Sequence, residues 1–231
     1  MRLALIFIFL LSALPQTAPG NASFFVRKLE DVYRRPRTLQ AAFLEEYSEG
    51  GKTMRREAGT AYFRRPGKMR WEYASPEKNL FVVDGKFAWF YVPADKTVSR
   101  VAAKQSEDWR TPLALLAGEM KVSRVCAKVD LDPKQPENAV LVRVACTIRG
   151  SEKEVRAGAP HDVAYFEIVR ATGELDKVVV ASPGGVRMEM RFSDWKFDAP
   201  AGEELFHFQP PRGVAIVDGD QLMPGAGGLA R

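Results

Sequence analysis

The chain has 231 residues, enough for one substantial domain or two small ones, and its 46% hydrophobic and 27% charged content is that of an ordinary globular protein. This composition excludes a disordered chain and an integral membrane protein. Without the arginine of the first segment, 33 of the 34 basic residues remain against 29 acidic ones, a surplus of four. So small a surplus, scattered along the sequence, argues against nucleic acid as a partner.

The first 22 residues are predicted to be a secretory signal peptide. A short basic start is followed by an apolar run, residues 3–14, that is too short to span a membrane comfortably. The small residues Gly20 and Ala22 suit cleavage after Ala22. An uncleaved anchor is the alternative. No cysteine in this segment offers the lipidation site of a bacterial lipoprotein. We therefore expect an exported protein whose residues 23–231 form a single domain.

Helical periodicity comes first in the mature chain. Phe25, Leu29 and Tyr33 recur at the spacing of one helical face. They predict a helix over residues 24–33, with Ser23 as its N-cap. The following stretch, LQAAFLEEYSEGGK, is compatible with either a helix or a strand before a turn at EGGK.

From residue 59 onward the apolar side chains recur at every second position, which predicts strands. Asp84-Gly85 between two apolar runs is a strong signal for a β-hairpin. Both of these runs are apolar on both faces, so we expect the hairpin to be covered on both sides. Strands are predicted at residues 59–63, 69–73, 97–102, 140–148, 165–170, 177–181 and 186–192, followed by a short strand, a double-proline turn and a last strand within residues 204–218.

The stretch TPLALLAGE interrupts the strand pattern at residues 111–119. Thr111 followed by proline suits the start of a helix. Leu113, Leu115 and Leu116 make this short helix apolar nearly all round, so we expect it to be buried. The chain thus reads as roughly nine to eleven antiparallel strands with two or three short helices, and a sheet of that size should coil or partly close.

The two cysteines, Cys126 and Cys146, lie on consecutive strand-like runs. Export would allow a disulfide between them. Simple alternation, however, puts Cys126 in register with Lys128 and Cys146 in register with Val144. This places the two thiols on opposite faces of the sheet unless a bulge intervenes, so the pairing stays open.

Patterns of catalytic or metal-binding residues are sparse. His161 and His207 are the only histidines, and the sequence contains no HExxH, GxSxG or glycine-rich phosphate loop. The residues therefore favour a protein that is not an enzyme and that holds no metal. Large apolar side chains on the predicted strands are the dominant feature, and they suit either an ordinary core or a cavity for apolar cargo.

Four stretches occur in the order and spacing of the periplasmic lipoprotein carrier LolA: GTAYFRRPGKMRWEY, SPEKNLFVVDGKFAWFYVP, TPLALLAGE and FHFQPPRGVAIVD. The sequence resembles this family over residues 24–218, with a weak match over residues 121–160 that includes both cysteines. The resemblance implies a mainly β fold, namely a curved, unclosed antiparallel β-barrel whose short helices form a lid over an apolar cavity.

The function that the resemblance implies is that of a monomeric periplasmic carrier without a cofactor. Such carriers take acylated lipoproteins from an inner-membrane ABC transporter of the LolCDE type. They deliver them to an outer-membrane receptor of the LolB type where one exists. Two alternatives keep the same fold: a carrier of other lipids or glycolipids, and a regulatory domain that senses lipoproteins or lipids.

The resemblance also assigns roles to residues. Arg65, the arginine before the proline, would hydrogen-bond to the lid and hold the empty protein shut. The helix with Leu113, Leu115 and Leu116 would fill the empty cavity as part of this lid. The cavity would be lined by Phe63, Met69, Trp71, Tyr73, Leu80, Val82, Trp89, Tyr91, Met188, Met190 and Phe192.

Overall fold

The computed structural model describes residues 21–103, 114–118, 121–136 and 139–218. Within these ranges three helices and twelve strands are defined. The helices are α1 (Ala22–Arg34), α2 (Ala114–Ala117) and α3 (Glu152–Ala157). The strands are β1 (Thr38–Glu49), β2 (Lys52–Arg64), β3 (Lys68–Ser75), β4 (Leu80–Val83), β5 (Phe87–Val92), β6 (Thr97–Ala102), β7 (Cys126–Leu131), β8 (Leu141–Ile148), β9 (Val163–Val169), β10 (Leu175–Ser182), β11 (Val186–Phe197) and β12 (Ala215–Asp218).

All twelve strands belong to one sheet, in the order β12-β6-β5-β4-β3-β2-β1-β11-β10-β9-β8-β7. Neighbouring strands are antiparallel except for β12, which runs parallel to β6. The two edge strands, β12 and β7, do not pair with each other, so the sheet is unclosed. Val101 on β6 and Val144 on β8 lie near opposite edges yet belong to one buried cluster, so the sheet curves around it. The predicted fold class, a curved and unclosed antiparallel barrel with short helices, is confirmed.

The first helix lies on the concave face of this sheet. Phe25, Leu29 and Tyr33 are buried there, as their spacing predicts, and the helix lies against β7 and β8. Its N-cap is Asn21 and not the predicted Ser23, because the Asn21 Oδ1 accepts a hydrogen bond of 2.9 Å from the Phe24 N–H.

Residues 1–20 of the predicted signal peptide lie outside the described residues. Helix α1 begins at Ala22, which is buried, so cleavage after Ala22 would remove the capping Asn21 and the first residue of the helix. The boundary stays a prediction, and the mass of the exported protein measures it directly. Among the described helices, none is long and apolar enough to cross a membrane.

The structure corrects two secondary-structure predictions. The stretch left open between helix and strand is β1, which pairs along its length with β2 and β11. The short strand predicted near residue 206 is instead a 3₁₀ turn at Glu203–Phe206. Apolar and polar residues alternate over only three positions here, and the prolines that follow have no backbone N–H to donate to a neighbouring strand. Helix α3 was not predicted.

Cys126 and Cys146 form a disulfide bond. The pairing of β7 with β8 shifts register between Cys126, which lies opposite Ile148, and Lys128, which lies opposite Thr147. This β-bulge breaks the simple alternation and puts Cys126 on the concave face with Cys146. Both cysteines are buried in the main core.

We predict that the disulfide contributes substantially to stability. It closes a loop with a sequence separation of 20, and loop-closure entropy alone gives about 3 kcal/mol for a loop of that size. The double variant Cys126→Ser/Cys146→Ser should therefore unfold in guanidinium with about 3 kcal/mol less free energy than the wild type.

Reduction of the wild type is the matched control and should reproduce most of this loss, while leaving the double variant unaffected. Unfolding curves that coincide for the oxidised wild type and the double variant would contradict the prediction.

Candidate functional site

The concave face of β1, β2, β3 and β11 carries a continuous group of aromatic and sulfur-containing side chains. The ring of Trp71 is central, with its centroid 4.9 Å from that of Phe43, 5.5 Å from that of Phe63 and 6.0 Å from that of Phe192. Six of the predicted cavity residues lie in this cluster: Phe63, Met69, Trp71, Tyr73, Met190 and Phe192. Met188 is also buried, two residues before Met190 on β11.

Four other predicted cavity residues lie on the opposite, convex face. Leu80, Val82, Trp89 and Tyr91 belong to a separate cluster that includes Val98. The register of β4 with β5 instead turns the alternate residues of both strands toward the main core. The prediction for these four side chains was therefore wrong, because a hairpin that is apolar on both faces does not reveal which face is concave.

The convex cluster is covered by the segment that precedes β12. Phe208 and Val214 pack against it, and the ring of Phe208 lies 5.6 Å from that of Trp89 and 5.9 Å from that of Tyr91. The hairpin is thus covered on both sides, as predicted. The outer cover is the carboxy-terminal part of the chain.

Two helices cover the concave face, and we call α1 and α2 together the lid. Leu115 and Leu116 of α2 are buried in the main core, as predicted, whereas Leu113 lies outside the described residues. The carbonyl of Ala117 accepts a hydrogen bond of 2.7 Å from the backbone N–H of Gly67, in the turn between β2 and β3. This turn therefore fastens the end of α2.

Arg65 lies in the same turn and binds the other helix of the lid. Its guanidinium donates to the backbone carbonyls of Tyr33 and Arg34, at the end of α1, and of Pro36 just beyond it. The last carbonyls of a helix have no partner within the helix, and a guanidinium carries several donors in a rigid fork. Burial lowers the pKa of the Arg65 guanidinium. The described hydrogen bonds of Arg65 thus join it to α1, whereas the contact to α2 comes from Gly67.

Two further contacts fasten α1 to the other half of the sheet, and the sequence did not reveal them. The Tyr33 hydroxyl accepts a hydrogen bond of 2.9 Å from the Leu175 N–H, and burial raises the pKa of this phenol. Lys28 Nζ donates to the carbonyls of Arg170 and Ala171, each at 2.7 Å. Helix α1 thus bridges the β2–β3 turn and the β9–β10 turn.

The concave face becomes charged toward the β1–β2 hairpin, and we call this part the polar end. Glu45 and Glu57 lie directly opposite each other on β1 and β2, and both are buried. The Tyr73 hydroxyl donates to Glu45 Oε2 at 3.0 Å, and Arg55 Nε lies 2.9 Å from Glu57 Oε2. This cluster was not predicted, although Glu45 lies in register with the buried Phe43.

Comparison with known proteins agrees with this architecture. The family model for the outer membrane lipoprotein carrier protein LolA matches residues 34–155, more than half of the 231-residue chain. The protein belongs to the LolA family. An outer-membrane lipoprotein carrier protein of Chromobacterium violaceum is 30% identical to it over 88% of this chain and 91% of that protein. One of Nitrosomonas europaea is 28% identical over 92% of this chain and 98% of that protein.

Among solved structures, a conserved protein of Thermus thermophilus superposes with a TM-score of 0.51. It covers 85% of this chain and 98% of its own, at 14% sequence identity, and therefore supports the fold alone. The LolA-family match includes β2, β3 and α2, and thus both the Arg65 turn and part of the lid.

We predict that Arg65→Leu loosens α1 without unfolding the sheet. A hydrogen bond to a charged group contributes about 1.5 kcal/mol or more, so the amides of residues 22–34 should exchange roughly tenfold faster in the variant. Hydrogen exchange followed by mass spectrometry measures this directly.

Arg35→Leu is the matched control, since it removes the same charge from an exposed position at the end of the same helix. Equal exchange of α1 in the wild type and in Arg65→Leu would show that Arg65 does not hold the helix.

Proposed function

We propose that this protein is a periplasmic carrier that binds the acyl chains of lipoproteins released from the inner membrane and delivers them to the outer membrane. The observation that carries the proposal is the aromatic concave face beneath a lid that polar contacts fasten at its ends. Membership of the LolA family and the names of the two relatives support the same function.

The energetics of the lid suit a carrier that must also release its cargo. Each buried methylene contributes about 0.8 kcal/mol, so a permanently exposed apolar face would bind acyl chains too tightly to let them go. In this structure α1 and α2 bury that face with their own side chains. Cargo then replaces the lid. The net affinity for cargo is the free energy of burying the concave face under cargo minus that of burying it under the lid.

Arg65 is proposed to change the net affinity for cargo by stabilising the state in which the lid covers the face. Its hydrogen bonds to the end of α1 stabilise the covered state and leave the concave strands unchanged. A protein that lacks them should accept cargo more readily and release it more slowly. Arg65 is thus proposed to favour release, which is the latch role that the family resemblance implies.

The proposed partners follow from the direction of transport. We propose that an inner-membrane ABC transporter of the LolCDE type loads the protein, and that a LolB-like receptor unloads it where one is present. The proposal requires no catalytic step and no cofactor, because the exchange of apolar surfaces supplies the driving force. It assigns the carrier a monomeric state with one concave face for each chain.

Native mass spectrometry of the mature protein, isolated from periplasm without detergent, tests this proposal. We expect a discrete complex with an acylated lipoprotein that disappears when acceptor membranes are added. Bound phospholipid or glycolipid alone would identify a carrier of other lipids. A protein that is empty and does not extract lipoproteins from spheroplasts would contradict the proposal.

We further predict that Arg65→Leu shifts the protein toward the loaded form. Release to acceptor membranes should slow by roughly tenfold, because weakening the covered state by about 1.4 kcal/mol changes the equilibrium by that factor. Release is measured as the loss of the mass of the complex over time. Arg35→Leu should release cargo like the wild type, and equally fast release from Arg65→Leu would remove Arg65 from the cycle.

A further inference from the structure

Trp71 differs from the other two tryptophans that the structure describes. The indole Nε1 of Trp89 donates to Asp84 Oδ2 at 2.8 Å, and that of Trp195 donates to the carbonyl of Leu175 at 2.9 Å. The indole Nε1 of Trp71 is fully buried and has no hydrogen-bond acceptor in the described part of the chain. One tryptophan donor is thus unpartnered, on the face where cargo is proposed to bind.

An unpartnered donor of this kind is costly. Leaving a buried polar group without a hydrogen bond costs free energy, and native proteins contain few such groups. The rings around Trp71, those of Phe43, Phe63 and Phe192, carry no oxygen or nitrogen acceptor. Phenylalanine would fill much of this site without leaving a donor unpartnered. Since the described residues offer this indole N–H no acceptor, it is available to an acceptor on a bound ligand.

The position of Trp71 along β3 indicates which group could supply this acceptor. Met69, two residues before it, lies at the apolar end of the concave face, next to the turn that holds the lid. Tyr73, two residues after it, belongs to the polar end through its hydrogen bond to Glu45. Trp71 therefore lies at the boundary between the apolar and the polar parts of one face.

An acylated lipoprotein has a matching boundary. Its hydrocarbon chains are purely apolar, its polypeptide is polar, and the ester carbonyls that join them are acceptors without a donor of their own. With the chains on the apolar end of the face, these carbonyls come to lie at the level of Trp71. The polypeptide then leaves past the polar end, beside the partly exposed Arg55.

We propose that the indole N–H of Trp71 binds a carbonyl oxygen of an ester linkage in the acylated cargo. The inference rests on the proposed carrier function and deepens it. Trp71 thereby distinguishes an acyl group from a plain alkyl chain of the same length. It also sets the depth to which the chains enter the face.

The test compares two synthetic lipopeptides of equal chain length. One carries two ester-linked acyl chains on the glyceryl cysteine, and the other carries two ether-linked alkyl chains, which lack those carbonyls. Competition with a bound fluorescent fatty acid gives the affinity of each. Since one neutral hydrogen bond contributes about 0.5–1.5 kcal/mol, the wild type should prefer the diester by roughly twofold to tenfold.

Trp71→Phe should abolish this preference by weakening binding of the diester and leaving binding of the diether unchanged or stronger. Trp195→Phe and Trp89→Phe are matched controls, because both remove an indole N–H that already has a partner within the chain. Both should keep the preference of the wild type. Equal preference in the wild type and in Trp71→Phe would overturn the inference.

A second measurement does not depend on the folding of a variant. In ¹⁵N-labelled wild-type protein, the indole N–H resonance of Trp71 should move further downfield with the diester than with the diether. An identical response to both lipopeptides would overturn the inference and leave the carrier function intact. Failure of both lipopeptides to bind the wild type would overturn the carrier function itself, and the inference with it.

Discussion

The burial of the concave aromatic face by α1 is the constraint on which the rest of the structure depends. Phe25, Leu29 and Tyr33 supply the apolar contacts, but a single helix of 13 residues is marginal on its own. Polar contacts from both sides of the curved sheet therefore fix its position. Arg65 binds its carboxy-terminal carbonyls, and the β9–β10 region binds Lys28 and the Tyr33 hydroxyl. Few polar contacts thus control a large apolar surface.

The disulfide and the convex cover fasten the sheet around this face at two places. Cys126 and Cys146 join the edge strand β7 to β8, against which α1 lies. On the far side, Phe208 and Val214 cover the β4–β5 hairpin, and β12 extends the sheet beyond β6. Along the concave face the side chains change from apolar to charged, with Trp71 at the boundary next to the polar end. This change along the face would orient a cargo that has an apolar and a polar part.

Strict alternation predicts much of this site from sequence. Met69, Trp71 and Tyr73 alternate with charged residues, so the sequence pattern alone assigns them to one face. The wrong residues of the β4–β5 hairpin were assigned to the concave face. Its strands are apolar on both sides, and a shift of one residue exchanges the two faces. The bulge at Cys126 carries no signal in local composition, so pairing of the cysteines stayed open. The partners of Arg65 depend on tertiary contacts between residues about 30 positions apart.

Cargo and lid are proposed to compete for one face, and hydrogen exchange of α1 during cargo binding shows whether they do. With a saturating triacylated lipopeptide, the amides of Ala22–Arg34 should exchange faster than in the empty protein, while those of β1–β3 become more protected. Faster exchange in the helix together with slower exchange in the strands would mean that the lipid takes the place of the lid. Exchange of α1 that slows or stays unchanged on binding would mean that cargo and lid do not compete for this face.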